Sequence, residues 1–168
     1  PIQNLIDSKP KDRGEVIQSG GRIKFENESL KGTINLTGAR IDDAALKQHF
    51  QTLEKQNLVT ILNPRGTIAS RGVEYGWLSS DQNIATPNKD TNWSVVGNSN
   101  LTPDTPVTLR WDNGQGISFE RKITLDSDYM MTITQSVTNQ SGRSVTLYPY
   151  GLIAQKGIPP TFEGTWIS

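Results

Sequence analysis

The sequence contains no cysteine and a single histidine, His49, among its 168 residues. Without cysteine there are no disulfides and no thiolate metal sites. That suits the cytosol, or a bacterial periplasmic segment that folds without cross-links. With one histidine, a histidine-based zinc site lacks its second ligand. A Ser-His-Asp site would need a nucleophile beside His49, and no G-x-S-x-G elbow occurs. A lone histidine in a polar stretch reads as surface. Neither sign of charge is in excess, with Lys+Arg and Asp+Glu at 17 each. No basic stripe faces a phosphate backbone, so no nucleic-acid partner is expected.

Long apolar runs are also missing. None approaches the ~20 residues of a membrane span, and no signal peptide is visible. The sequence opens at Pro1 instead of Met and closes at Trp166-Ile167-Ser168. It therefore reads as a piece of a longer protein, and the missing spans say nothing against a membrane-bound parent. Apolar residues make up 33% and mean hydropathy is −0.52. That balance suits a wide sheet with one wet face, and the length suits one domain with its own core.

What is present is strand periodicity. From Val107 to Gln155 four long segments follow one another with apolar residues at every second position. Val107 to Trp111 leads into Asp112-Asn113-Gly114, a strong signal for a primed hairpin turn. Ile117 to Leu125 alternates again, and Asp126-Ser127-Asp128 breaks it with turn formers. Tyr129 to Thr138 and Ser144 to Ala154 complete a predicted four-strand antiparallel meander, whose apolar face a second layer must cover. Gly157-Ile158-Pro159-Pro160 ends it.

Upstream, residues 1–21 read as a polar lead-in or tether, with Lys9-Pro10-Lys11-Asp12-Arg13 and Ser19-Gly20-Gly21. Residues 22–168 read as the domain. Arg22 to Asn27 and Leu30 to Thr37 are predicted strands, and Gly38 marks a bend or bulge. Residues 41–53 are ambiguous, since Leu46, Phe50 and Leu53 at i, i+4 and i+7 suggest a short helix that Asp42 or Asp43 would cap. Leu58 to Leu62 reads as a short buried strand, Val73 to Leu78 as an alternating one, and Trp93 to Val96 as another. Asn98 to Pro106 reads as a loop in which Pro103 and Pro106 exclude regular pairing.

Candidate chemistry is sparse. The carboxylate pairs Glu26/Glu28, Asp42/Asp43 and Asp126/Asp128 are only sequence neighbours, whereas a glycosidase needs two carboxylates across one cleft. Asp126 and Asp128 read as turn residues, and no EF-hand pattern supports calcium there. Gly114-Gln115-Gly116 is a hairpin tip, because no helix follows it to cradle a phosphate. The glycosylation-type triplets at Asn27, Asn35, Asn92, Asn100 and Asn139 are the chance yield of an Asn/Ser/Thr-rich chain. No cofactor is implied. The aromatics Tyr75, Trp77, Trp93, Trp111, Phe119, Tyr148 and Tyr150 lie on strands. They either fill the space between two sheets or, in part, line a groove for a sugar or an extended peptide. Tyr148 and Tyr150 straddle Pro149 on one face, which argues for a sheet edge or a bulge that a partner strand or a second copy could use.

Several segments taken together carry a family resemblance. These are Arg22-Ile-Lys-Phe25, Leu30 to Asp43, Glu74-Tyr-Gly-Trp77, Val107 to Gly114, Ile123 to Tyr129 and Val145 to Ile153. In order and spacing they resemble the large periplasmic domain of YidC-type membrane protein insertases, most closely the alphaproteobacterial branch. The resemblance implies an all-β antiparallel sandwich of the supersandwich type, similar to galactose mutarotase. It also implies a strand over residues 41–53 as far as about Gln48. The family domain is longer than this sequence, so some strands would lack neighbours. The implied role is a non-catalytic scaffold at the bacterial inner membrane, facing the periplasm. Implied partners are accessory subunits of the Sec translocon and nascent membrane proteins. The alternative on the same fold is a carbohydrate-binding or mutarotase-like module, for which only His49 is at hand.

Overall fold

The computed structural model describes residues 9–157. The polar lead-in contains a helix, α1 (Arg13–Gln18). The strands are β1 (Arg22–Glu26), β2 (Leu30–Asn35), β3 (Arg40–Phe50), β4 (Leu58–Leu62), β5 (Ser70–Ser79), β6 (Ser94–Val96), β7 (Asn100–Leu101), β8 (Val107–Asp112), β9 (Ile117–Leu125), β10 (Met131–Asn139) and β11 (Leu147–Lys156). They form two sheets. The larger has the order β11-β5-β3-β2-β1-β7, with β4 paired to β3, and the smaller has the order β10-β9-β8-β6. All pairings are antiparallel except β1 with β7, which is parallel.

The fold is thus the expected β-sandwich. Inward residues of the large sheet, among them Ile23, Phe25, Ile34 and Trp77, meet Val107, Leu109, Phe119 and Ile123 of the small one. Fully burying a side chain of this size contributes about 1.5–3 kcal/mol. β9 shows the period most cleanly, with Ile117, Phe119, Arg121, Ile123 and Leu125 buried in alternation.

Strand pairing decides several local readings of the sequence. The first is the four-strand meander. β8, β9 and β10 form one, but β11 crosses to the large sheet and pairs with β5 along its whole length, from Leu147 opposite Ser79 to Lys156 opposite Ser70. Alternation identifies a strand but does not name its neighbour. Second, the ambiguity over residues 41–53 resolves as the family resemblance implied: β3 runs as a strand through Phe50, and the helical alternative falls. β3 hydrogen-bonds to β2, β4 and β5, and these pairings override a weak helical spacing. Leu53 is wholly exposed, so the spacing marked no buried face. Third, Asn113-Gly114 is not a two-residue primed turn. Asp112 pairs with Ser118, leaving residues 113–117 between them, of which Gly114 and Gly116, not Asn113, adopt positive φ. Fourth, Asn100 and Leu101 do pair, beside Lys24 and Phe25. Pro103 sits in the tight turn closed by Thr102 and Thr105 just after them. β4 is also half-buried where a buried strand was expected. The stop expected at Pro159-Pro160 lies outside the described residues.

Candidate functional site

Strand parity divides the aromatic candidates between two faces. Tyr75 and Trp77 on β5 point inward with Trp93, Trp111 and Phe119. Trp77 stacks on Trp93 at 6.4 Å between ring centroids, and meets Phe119 edge-on at 5.0 Å. Trp111 tilts against Phe119 at 5.6 Å. Trp77 and Trp93 are each only 4% exposed, so neither offers a face on which a sugar could stack. Tyr148 and Tyr150 lie opposite Leu78 and Gly76 and so face outward. A side chain at Gly76 would strike the Tyr150 ring, which fixes where that ring lies. The six candidates Tyr75, Trp77, Trp93, Trp111, Tyr148 and Tyr150 do not converge on one groove.

The centre of the inner group is a residue that pattern reading passed over. Arg121 is 1% exposed. Its guanidinium lies 4.8 Å from the Trp93 ring, 5.7 Å from Tyr75 and 5.9 Å from Trp77, within range for cation–π attraction. It donates to the carbonyls of Ala39 (3.0 Å) and Tyr75 (2.7 Å) and to Gln135 Oε1 (3.2 Å). Burial pushes its pKa down to about 10. The parity of β9 could have flagged it, since it holds the inward slot between Phe119 and Ile123.

The outer face of the large sheet carries a second cluster. The register between β2 and β3 slips between Thr33 and Ile34, so that Thr33 faces Asp43 and Ile34 faces Ile41. Asp42 is the extra residue of this bulge. The bulge breaks the alternation, and both Asp42 and Asp43 become available to arginines. Arg22 donates to Asp42 at 2.8 Å, Arg40 Nε lies 3.6 Å from Asp42, and Arg13 of α1 pairs with Asp43. Glu74 joins Arg40 to Arg65. Arg40 is held at about 10 by burial first and by the neighbouring Arg65 charge second, with Asp42 opposing both. Gly38, at φ 74°, and Ala39, at φ 45°, turn the chain from β2 into β3. Any side chain at Gly38 would meet the Lys89 carbonyl, and its N–H donates to the Thr91 carbonyl at 2.7 Å. This close approach holds the 88–91 loop, with Lys89, beside the arginines.

The remaining carboxylate pairs do not face one another across a cleft. Asp126 Oδ1 accepts from the amides of Asp128 and Met130, so that pair is a turn device. Asn27 donates to the carbonyls of Asp126 and Asp128 while its own oxygen accepts from Ser29 and Leu30. It ties the β1–β2 turn to the β9–β10 turn. Glu26 meets Lys47 at 2.7 Å, and His49 is exposed at the end of β3.

Comparison with known proteins assigns the family. The family model described as the YidC periplasmic domain matches residues 22–167. The chain belongs to this family. The membrane protein insertase YidC of Granulibacter bethesdensis is 41% identical over 148 residues, which is 88% of this chain and 25% of that protein. The insertase YidC of Ruegeria sp. is 44% identical over 143 residues, covering 82% and 23%. That of Pelagibacter ubique is 38% identical over 147 residues, covering 88% and 26%. The chain thus spans about a quarter of the length of these YidC relatives. The family match begins at Arg22, the first residue of β1, so α1 stands before the matched segment.

Proposed function

We propose that this chain is a non-catalytic periplasmic part of an inner-membrane insertase. It acts as scaffold and contact surface while inner-membrane proteins are inserted and folded. The observation that carries this reading, in a chain of the YidC periplasmic family, is the cross-strand pair Leu78 and Tyr148. They are 61% and 57% exposed on the outer face of the large sheet. Beside them β11 has no second neighbour among the described residues. An extended partner segment can pair with such an edge through its backbone, using the exposed side chains for selection. Partners of fitting chemistry are emerging membrane proteins, rich in apolar segments, and accessory subunits of the Sec translocon. Tyr150 supports Tyr148 from the same strand, whereas Tyr75, Trp77, Trp93 and Trp111 hold the interior.

The test belongs in the full-length parent protein. Leu78→Ser with Tyr148→Ser should lower insertion of a reporter membrane protein about fivefold, the scale of losing ~1 kcal/mol at a contact, with protein level unchanged. His49→Ala should leave insertion intact. Undiminished insertion by the Leu78/Tyr148 variant would remove the proposed contact surface, and collapse on His49→Ala with the fold preserved would point to catalysis instead.

A further inference from the structure

The outer-face cluster encloses a cavity of about 160 Å³, far more than the ~10–15 Å³ that one water needs. Arg22, Arg40, Arg65 and Lys89 line it, with the carboxylates of Asp42 and Asp90, and Val16 of α1 closes one side. The side chains of Arg22 and Arg40 are 5% and 4% exposed. Among the described residues the Nε–H of each has no hydrogen-bond partner. Buried donors left unpaired are costly, and here two of them belong to arginines that line one cavity. The charges do not balance either. With Glu74, which pairs with Arg40 and Arg65, three carboxylates stand against four cations among the described residues. Asp42 is already shared by two arginines and Asp90 is taken by Lys89 at 2.6 Å.

We propose that this cavity binds a phosphate oxyanion, either free orthophosphate or the phosphodiester of a lipid headgroup. The donors come from several directions: β1 and β3 at the floor, the loop after β4 at one side and the 88–91 loop at the other. A tetrahedral anion presents acceptors to such an arrangement, and the planar guanidinium fork matches its edges. Arg65 and Lys89 form the rim, and their side chains are 45% and 62% exposed.

The experiment follows the arginine Nε–H resonances of the 168-residue chain by 1H–15N NMR during titration with sodium phosphate, ionic strength being held constant with chloride. The Arg22 and Arg40 Nε–H peaks should shift saturably with phosphate and stay still with chloride alone. Arg65→Gln and Lys89→Gln change only exposed rim residues, so the fold should survive, as an unchanged melting temperature without phosphate would show. Each should weaken phosphate binding about tenfold, the worth of one charge-assisted bond. In a second arm the chain is sedimented with phosphatidylglycerol vesicles and with phosphatidylcholine vesicles. Capture by phosphatidylglycerol that is lost in the rim variants assigns the headgroup. Phosphate-dependent shifts without vesicle capture assign the free ion. Peaks that move no more with phosphate than with chloride would overturn the site, as would shifts that persist undiminished in the rim variants.

Discussion

Arg121 occupies a slot that strand parity reserves for an apolar side chain, and among the described residues no carboxylate pairs with it. What keeps the charge inside is the sum of three hydrogen bonds and three aromatic faces. A lysine has no planar fork to reach the same acceptors, so Arg121→Lys should cost about 1–3 kcal/mol in urea unfolding. The emission of the buried Trp77 and Trp93 should move towards that of exposed tryptophan. The same residue sets an alkaline signature. Burial lowers its pKa from the ordinary arginine value to about 10 in the fold. The unfolded chain therefore holds the proton more tightly, and the penalty for burying the charge applies in full below about pH 10. As pH rises through that value towards the ordinary arginine range, the penalty is relieved. Wild type should therefore gain stability relative to Arg121→Met above about pH 10, by up to ~1.4 kcal/mol per pH unit. Parallel urea titrations at stepped alkaline pH measure it, and a constant difference would contradict the assignment.

At the scale of elements, β2 and β3 meet where Gly32 leaves no room for a side chain. A Cβ there would lie 1.9 Å from the Asp43 carbonyl oxygen and 2.5 Å from the Phe25 ring. Gly32→Ala must push β3 away or displace Phe25 from the core. The expected cost exceeds about 2 kcal/mol, in the range of overpacked cores, read as a lowered urea midpoint. α1 is held more lightly. Asp12 caps it, accepting from the amides of Gly14 (2.8 Å) and Glu15 (3.3 Å). Lys11 N–H reaches the Gly66 carbonyl at 2.9 Å, and Arg13 pairs with Asp43. Asp12→Ala should free the helix at a cost of about 1 kcal/mol. Amide exchange should quicken over residues 13–18 and leave the β9 amides unchanged, because a six-residue helix opens without the sandwich.

On the scale of the whole molecule, the two sheets are unequal, and among the described residues the long strand β11 ends the larger one. An edge ten residues long invites unwanted pairing unless something interrupts it. Pro149 lies opposite Trp77 within the ladder, which a proline tolerates only with its nitrogen turned away from β5. It therefore removes one donor from the outer edge. Pro149→Thr should restore that donor and raise concentration-dependent self-association of the 168-residue chain. Analytical ultracentrifugation across a dilution series checks this, and unchanged sedimentation would count against β11 as a guarded edge.

Much of this was legible in the sequence, because period-2 burial is a local property. Alternation in Arg22 to Glu26, Ile117 to Leu125 and Tyr129 to Thr138 is enough to identify strands, since each residue's face follows from its neighbours two positions away. Asp126 and Asp128 were likewise readable as turn residues, since the Asp126 carboxylate bonds only amides within four residues of it. The ordered likeness to the insertase family came from the same segments. Other features depended on partners far along the chain. β11 left its sequence neighbour for β5, roughly 75 residues earlier by the register. Residues 41–50 became a strand because three other strands pair with them. Arg121 lay at a readable parity, but its acceptors come from β5, β10 and the turn before β3. The bulge at Asp42, which gathers arginines from α1, β1 and β3, has no local signal at all. Periodicity thus decided which residues are strand and which side of each is dry. Only long-range pairing decided which strands are neighbours, and with that where the buried charges meet.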